Sequence, residues 1–184
     1  MMHSEAGSPE DIEKLIVRNI EAMAFEPSEF EAATYAELIA LPRVVVARPP
    51  TNALVSAGFV HYDCHRNCGD QVQNDPSGNS QHVVGWLPYG DDLILHSVVV
   101  IGENWICLTP QFVGAPDRFE FIPDTQLVWH DQGPTKVVRR HGREIPEVFR
   151  KNPMKHIRMR DAFRALIAQG LSARQARDIV ANDS

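Results

Sequence analysis

One stretch of the sequence determines the fold class: residues 83–109, which read VVGWLPYGDDLILHSVVVIGENWICLT. Apolar and β-branched residues dominate it, as is typical of strands. Turn-forming residues interrupt it twice, at Tyr89-Gly90-Asp91-Asp92 and at Gly102-Glu103-Asn104. Connections this short join antiparallel neighbours. The stretch therefore predicts three consecutive antiparallel strands, at 83–88, 93–101 and 105–109.

Helical patterns flank this sheet on both sides. Ser8 precedes Pro9 and two acidic residues, a pattern typical of a capped helix start, and Ser28 with Glu31 forms a capping box. Near the other end of the chain, Ser172 is placed to cap a last helix. We predict helices at 9–25, from 29 to near Pro42, at 157–169 and at 173–181, with one or two further helical turns at 66–73.

Three more segments have strand character: residues 43–48, 119–122 and, as an edge strand, 136–139. The resulting order of helices, antiparallel sheet and helices predicts an α+β fold. A chain of 184 residues fits a single domain. Within it we distinguish a helical N-terminal part at 1–42, an α+β core with the cysteines at 43–140, and a basic helical tail at 141–184.

Composition excludes several classes of protein. The hydrophobic fraction is 43% and the net charge is −6, values of an ordinary globular domain. No apolar run approaches the roughly 20 residues of a membrane span, and the polar, acidic N-terminus lacks the features of a secretory signal. Three cysteines, an odd number, fit a reducing compartment. We therefore expect a cytoplasmic protein without membrane contact.

The charges are unevenly distributed along the chain. Residues 1–135 carry 19 acidic and 6 basic side chains, whereas residues 136–184 carry 5 acidic and 12 basic ones. A basic segment of this kind binds nucleic acid or an acidic protein, or pairs with acidic residues of its own chain. We favour the pairing within the chain, because no aromatic residues alternate with the basic ones to stack on bases.

Residues 61–107 contain all three cysteines and four of the eight histidines. Cys64 follows a segment, 58–62, that we interpret as extended, and it stands at the predicted start of a short helix. Backbone N–H groups at a helix start lower the pKa of a thiol. His96 interrupts an apolar strand, where an imidazole needs a reason to be buried. A thiolate and an imidazole brought together form an activated nucleophile with its base.

Three segments carry a resemblance to a known superfamily: Asp63-Cys64-His65, Leu95-His96-Ser97-Val98 and residues 104–110, NWICLTP. Their order resembles the papain-like and transglutaminase-like cysteine fold over about 50 residues. The resemblance implies a thiol hydrolase or acyltransferase in which Cys64 is the nucleophile and His96 the general base. It also implies an acidic residue on the next strand, but Cys107 or Leu108 stands there.

A neutral thiol at that position cannot hold an imidazolium as a carboxylate does. We therefore assign the orienting role to Asn104, with Glu103 and Thr109 as alternatives. The substrate would be a small-molecule or peptide amide or thioester. For contacts with the substrate we select His65, Asn67 and Trp86. The backbone N–H of Cys64 is one candidate oxyanion donor, and the side-chain amide of Asn67, Gln71 or Gln81 is the second.

A second hypothesis belongs to another class of protein. Cys64, Cys68, His96 and Cys107 are zinc-type ligands, which would make the chain a non-catalytic binding module with a structural cluster and a basic tail. The spacing lacks a CxxC pair, so the pattern favours zinc only weakly. Cys68 and Cys107 are also small apolar residues suited to a core. The leading hypothesis requires no cofactor.

Overall fold

The computed structural model describes residues 9–111, 115–132 and 135–182, and it has the predicted α+β fold. Helices are present near both ends of the chain, as predicted. The helices are α1 (Pro9–Ala22), α2 (Glu29–Ile39), α3 (Thr51–Ser56), α4 (Cys64–Asn74), α5 (Pro153–Ala168) and α6 (Ala173–Asn182). The strands are β1 (Val44–Ala47), β2 (Ser80–Tyr89), β3 (Asp92–Ile101), β4 (Asn104–Ile106), β5 (Arg118–Pro123), β6 (Leu127–Gln132), β7 (Thr135–Arg140), β8 (Arg143–Glu144) and β9 (Val148–Phe149).

The chain forms two compact units. One consists of residues 34–149 and holds the strands, and the other consists of residues 1–33 together with 150–184. The second unit thus combines the two ends of the sequence. The single domain expected from chain length stays a prediction.

The main sheet of residues 34–149 closes on itself. Its order is β2-β5-β1-β4-β3, and β3 pairs in turn with β2 along ten residue pairs, while β9 adds to the outer edge of β3. The predicted hairpins β2–β3 and β3–β4 are antiparallel, as expected. One pair, β1 with β4, is parallel. The sheet is therefore mixed, whereas the sequence predicted an antiparallel one.

Closure gives every strand an inner and an outer face. The inner face is packed by Val46, Val98, Cys107 and Phe121. The outer face of β3 is covered by helices, because Leu54 of α3 and Cys68 of α4 pack with Val99 and Leu108. Side chains alternate along a strand, so Val98 and Val99 belong to different cores.

Gly85 allows β2 and β5 to approach closely. A Cβ atom at this position would lie 2.2 Å from the carbonyl oxygen of Ile122 and 2.7 Å from the ring of Phe121. Any side chain here would therefore separate two strands of the closed sheet.

A three-stranded sheet, β6-β7-β8, follows in the chain. In this sheet β7 lies between β6 and β8. The prediction of a strand at 136–139 is therefore confirmed, but the prediction that it is an edge strand is wrong. The strand β6 was not predicted, because Leu127–Gln132 contains too few apolar residues for the pattern to be visible.

In the unit that joins both chain ends, α1 packs with α5 and α6 through Ile16, Phe163, Ala173, Ala176 and Val180. Two predicted caps are confirmed: the Ser28 hydroxyl accepts the N–H of Glu31, and the Ser172 hydroxyl accepts the N–H of Gln175. The predicted cap at Ser8 lies outside the described residues.

The arginines of this unit bind acidic groups and carbonyls of the same unit. Arg150 is fully buried, donates to both carboxylate oxygens of Glu31 at 2.7 and 2.8 Å, and lies over the ring of Phe25. Arg164 pairs with Glu21 at the surface, at 2.5 Å. These pairs agree with the interpretation that the basic tail neutralises acidic residues of its own chain.

The segment before Cys64 differs from the prediction. Residues 58–62 are not extended: they form a turn in which Tyr62 has a left-handed backbone, with φ of 58°. The short helix α3 was also missed, because six residues are too few for a periodic pattern. None of the described helices has the length and apolarity needed to cross a membrane.

Candidate functional site

Cys64 is the first residue of α4, as predicted. Its side chain lies near β3, and the backbone N–H groups of Ser97 and of His65 lower the pKa of the thiol. Only 9% of the residue is exposed. Burial dominates these donors and raises the pKa of the Cys64 thiol to about 12. The expected lowering of the pKa is therefore wrong: the resting group is a neutral thiol.

His96 lies on β3, but it does not share a face with Cys64. It has the parity of Val98, whose side chain packs inside the closed sheet, and its ring contacts Phe119 and Phe121 edge-on. Its Nε2 atom lies 3.4 Å from the Sγ atom of Cys107. Burial lowers the pKa of His96 to about 3, so the imidazole is neutral.

The predicted dyad of Cys64 and His96 is thus not assembled. His96 instead pairs with Cys107, the residue that occupies the position at which the papain-like resemblance implies an acid. Cys107 is fully buried in the inner core. A buried thiol beside a neutral imidazole in an apolar core is a packing pair, because neither group meets solvent or a substrate.

Two other histidines lie on the face of Cys64, and both contact the hydroxyl of Ser97. The Oγ atom of Ser97 is 2.6 Å from Nδ1 of His65 and 2.7 Å from Nε2 of His82. Since the hydroxyl has one proton, it donates to one imidazole and accepts from the other. Ser97 therefore contacts two imidazoles through its side chain, and its backbone lowers the pKa of the nearby thiol. We call Cys64, His65, His82 and Ser97 the Ser97 cluster.

Electrostatics keep the imidazoles of this cluster neutral. Burial lowers the pKa of His65 to about 4, and the neighbouring His82 lowers it further. The ring of His65 is fixed edge-on against Trp129, at 4.9 Å between centroids. His82 is half-buried, and its pKa is lowered by desolvation. Both rings are therefore mostly unprotonated at neutral pH.

Asn67 has a structural role in this arrangement. Its Nδ2 group donates to the carbonyl oxygens of Val60 at 2.8 Å and of Leu108 at 3.1 Å, and its Oδ1 accepts the N–H of Val60. Both amide hydrogens are thus used, and neither remains for an oxyanion. Asn67 ties the turn before Cys64 to α4 and to the segment after β4.

Asn104 and Trp86 are not brought to the thiol. Asn104 is exposed at the start of β4, and its only side-chain hydrogen bond among the described residues is to the carbonyl of Ile101, at 3.5 Å. Trp86 is fully buried and donates its indole N–H to Asp124 at 3.1 Å. Neither residue orients an imidazole or reaches a substrate.

Asp124 follows β5, and its Oδ1 accepts the N–H of Gln126. Its other oxygen, Oδ2, accepts from Trp86 and, at 2.9 Å, from Arg140, which also reaches Glu37. Both carboxylate oxygens therefore accept hydrogen bonds within a buried structural network, and none of these contacts involves an imidazole.

The alternative zinc set is not assembled. Cys68 packs with the outer core, Cys107 and His96 lie in the inner core, and all three cysteines are free thiols. Over residues 9–111, 115–132 and 135–182, no group of three or more His, Cys, Asp or Glu side chains is arranged to hold a metal ion. The structural zinc hypothesis stays a prediction, and the described residues lend it no support.

Sequence reasoning missed Ser97 and His82. Adjacent residues of a strand point to opposite faces, so the pair His96-Ser97 required one of them to face Cys64 and the other to face away. The flanking residues Leu93–Leu95 and Val98–Val100 are apolar throughout, and they gave no sign of which parity faces the helix. The closed sheet, which buries both faces, removes the alternation that would have decided it.

Comparison with known proteins gives no match: no family model fits the sequence, and neither a curated protein nor a solved structure is significantly similar to the chain. The resemblance to papain-like and transglutaminase-like enzymes thus stays a prediction that depends on the residues quoted above.

Proposed function

We propose that the protein is a cysteine-dependent hydrolase or acyltransferase in which Cys64 attacks an amide or thioester carbonyl. One observation carries the proposal: the hydroxyl of Ser97, on the strand that packs against the start of α4, contacts the imidazoles of both His65 and His82. A nucleophile at a helix start, next to neutral imidazoles, is the arrangement that thiol enzymes require.

His82 is the general base of this proposal, replacing His96. Both imidazoles of the Ser97 cluster are half-buried, but desolvation lowers the pKa of His82 less than that of His65, and the ring of His65 is fixed against Trp129. The Ser97 hydroxyl holds Nε2 of His82 toward the thiol side of β3. His65 and Ser97 are positioning residues, since they act through the imidazole that moves the proton.

The chemical steps balance as in other acyl transfers. The Cys64 sulfur forms a bond to the acyl carbon while its proton passes to His82, and the backbone N–H groups at the start of α4 are available to the oxyanion. His82 then protonates the departing amine or thiol. Attack by water or an amine on the acyl-enzyme releases the product and restores the thiol.

The neutral resting state has a consequence for pH. A thiol with a pKa of about 12 contributes almost no thiolate at neutral pH, so proton transfer must accompany attack. We expect the acylation rate to rise from acidic to neutral pH as His82 loses its proton. A rate that does not fall on acidification, while the protein stays folded, would argue against an imidazole base.

The proposal is tested by acylation of the protein with the acetyl thioester of N-acetylcysteamine and p-nitrophenyl acetate, followed by mass analysis of each cysteine peptide. We expect an acetyl group on Cys64 and turnover of one or both probes. His82→Gln should reduce the acylation rate at least about 100-fold, a typical contribution of a general base.

Cys68→Ser is the matched control, because Cys68 lies one helical turn away on α4 and is fully buried outside the Ser97 cluster. Acylation of Cys64 should persist in it. The proposal is wrong if no cysteine is acylated by either probe, or if Cys64 is acylated equally fast in the His82→Gln protein.

The cellular location and the partners of the protein are part of the same proposal. Three free thiols fit a reducing compartment, and we place the enzyme in the cytoplasm. Its partner would be a small-molecule or peptide acyl substrate. Because Arg150 and Arg164 bind carboxylates of their own unit, the structure offers no support for a nucleic acid or an acidic protein at the tail.

A further inference from the structure

A cavity of about 440 Å³ opens where β1 ends and β5 begins. Small apolar side chains line much of it: Ala47, Pro49, Pro50, Ala115 and Pro116. Its charged lining residues are Arg48, Asp117 and Arg118, so two guanidinium groups face one carboxylate. None of the members of the Ser97 cluster lines this cavity, which makes it a separate feature of residues 34–149.

Arg48 is the unusual residue of the cavity. It is 7% exposed, and among the described residues it has no carboxylate partner within ion-pair distance. Its backbone is fixed, because its N–H group donates to the carbonyl of Asp117 at 2.7 Å. A buried cation without a counter-ion is unfavourable, since the lost hydration is not replaced by an opposite charge.

One face of the Arg48 guanidinium contacts an aromatic ring, and one of its nitrogens donates a hydrogen bond. It lies over the ring of Phe119, 4.7 Å from the centroid, and Nη1 donates to the carbonyl of Pro116 at 3.0 Å. Its Nε atom is buried without a hydrogen-bond partner. The edge formed by Nε and Nη2 is therefore the unused side of a fixed fork, and that edge matches the two oxygens of a carboxylate.

We propose that this cavity binds a small aliphatic carboxylate, whose two oxygens bind the Nε–Nη2 edge of Arg48 and whose apolar body contacts Pro49, Pro50 and Pro116. The ligand supplies the negative charge that the buried guanidinium lacks. The proline-lined wall supplies contacts for a short hydrocarbon part but no hydrogen-bond partners for a polar one. The proposal stands independently of the role of Cys64.

The probes are butyrate and butyramide, which share shape but not charge, titrated into the full-length protein and followed by amide chemical shifts. Butyrate should give saturable shifts in the amides of Ala47, Arg48, Thr51, Ala115, Asp117 and Arg118, and butyramide should bind at least 10-fold more weakly. Arg48→Gln should weaken butyrate binding at least 10-fold. Arg43→Gln is the matched control, because Arg43 precedes the same strand and its guanidinium pairs at the surface with Glu120.

Ala47→Leu provides a second variant that leaves Arg48 intact. Ala47 is an exposed residue that lines the cavity, so leucine reduces the volume for the hydrocarbon part without burdening the core. It should weaken butyrate binding several-fold. Non-saturable shifts with butyrate, equal shifts with butyramide, or equal binding by the Arg43→Gln, Arg48→Gln and Ala47→Leu proteins would each overturn the proposal.

Discussion

The two faces of β3 contain the same kinds of residues in different states. On the inner face, His96 and Cys107 lie in an apolar core, and the imidazole has no exposed neighbour. On the outer face, Ser97 lies near Cys64 and contacts two half-buried imidazoles. A thiol near an imidazole is thus insufficient for catalysis. The outer face differs from the inner face in two respects: a substrate can reach it, and its neutral imidazoles contact solvent.

The largest loss of stability is expected from a substitution that disturbs the pairing of β2 with β5 and thereby both faces of the closed sheet. Gly85→Ala places a methyl group against the Ile122 carbonyl and the Phe121 ring, so β2 and β5 must separate. We expect a loss of at least about 3 kcal/mol in the free energy of unfolding. Urea denaturation followed by fluorescence of the buried Trp86 measures it. An unchanged midpoint would show that the sheet does not close at this pair.

The inner face is tested by His96→Leu, which exchanges a neutral imidazole for an apolar side chain. At pH 7 the free energy of unfolding should change by less than about 1.5 kcal/mol. Because the pKa of His96 is about 3 when folded and 6.5 when unfolded, the unfolded chain binds the extra proton as pH falls. The wild type therefore loses stability below pH 6.5, by at most about 1.4 kcal/mol per pH unit down to about pH 3.

The leucine variant lacks this loss, so the two proteins should differ most near pH 3 and least above pH 7. Denaturation midpoints across this range provide the comparison. Parallel profiles of the wild type and the variant would mean that His96 is not held neutral in the inner core.

The outer face is tested by Ser97→Ala, which removes the hydroxyl shared by His65 and His82. We expect a cost of about 1 kcal/mol in stability and a loss of fixed imidazole geometry, seen as averaging of the ring nitrogen signals in NMR. Ser80→Ala is the control, since the Ser80 hydroxyl accepts a bond from Gln71 at 3.3 Å and contacts no imidazole among the described residues. Equal behaviour of the two variants would argue against the Ser97 cluster.

The smallest effect is expected from Gly69→Ala in α4. No atom lies within 4 Å of an added Cβ there, and alanine has the better helix propensity. The variant should gain about 0.5–1 kcal/mol in stability and leave the acylation of Cys64 unchanged. It also serves as the counterpart of Gly85→Ala, because the same methyl group is added in open space. A destabilised variant would mean that α4 packs more closely than described.

The sequence was sufficient for most elements and for the start of α4. Periodicity, caps at Ser28 and Ser172, and the turn at 89–92 are local signals, and the structure has the elements they predict. Closure of the sheet could not be predicted, because the parallel pairing of β1 with β4 joins segments about 60 residues apart and has no local pattern.

The candidate site was predicted only in part, because some of its contacts also depend on long-range pairing of strands. The position of Cys64 at a helix start follows from local residues, whereas the choice between His96 and His82 depends on which parity of β3 faces α4. The raised pKa of Cys64 depends on burial by the outer core, a property of the whole fold. Asn104 and Trp86 were selected by distance along the chain, and the sheet places them elsewhere.

The most direct test of the division between the two faces is the alkylation of native protein by iodoacetamide, read for each cysteine peptide across pH 6–10. We predict that Cys64 alone reacts, with a rate that still rises at pH 10, while fully buried Cys68 and Cys107 react only after unfolding. His96→Leu should leave the Cys64 rate unchanged. A fast reaction of Cys107 in the native protein, or a changed Cys64 rate in His96→Leu, would contradict the account.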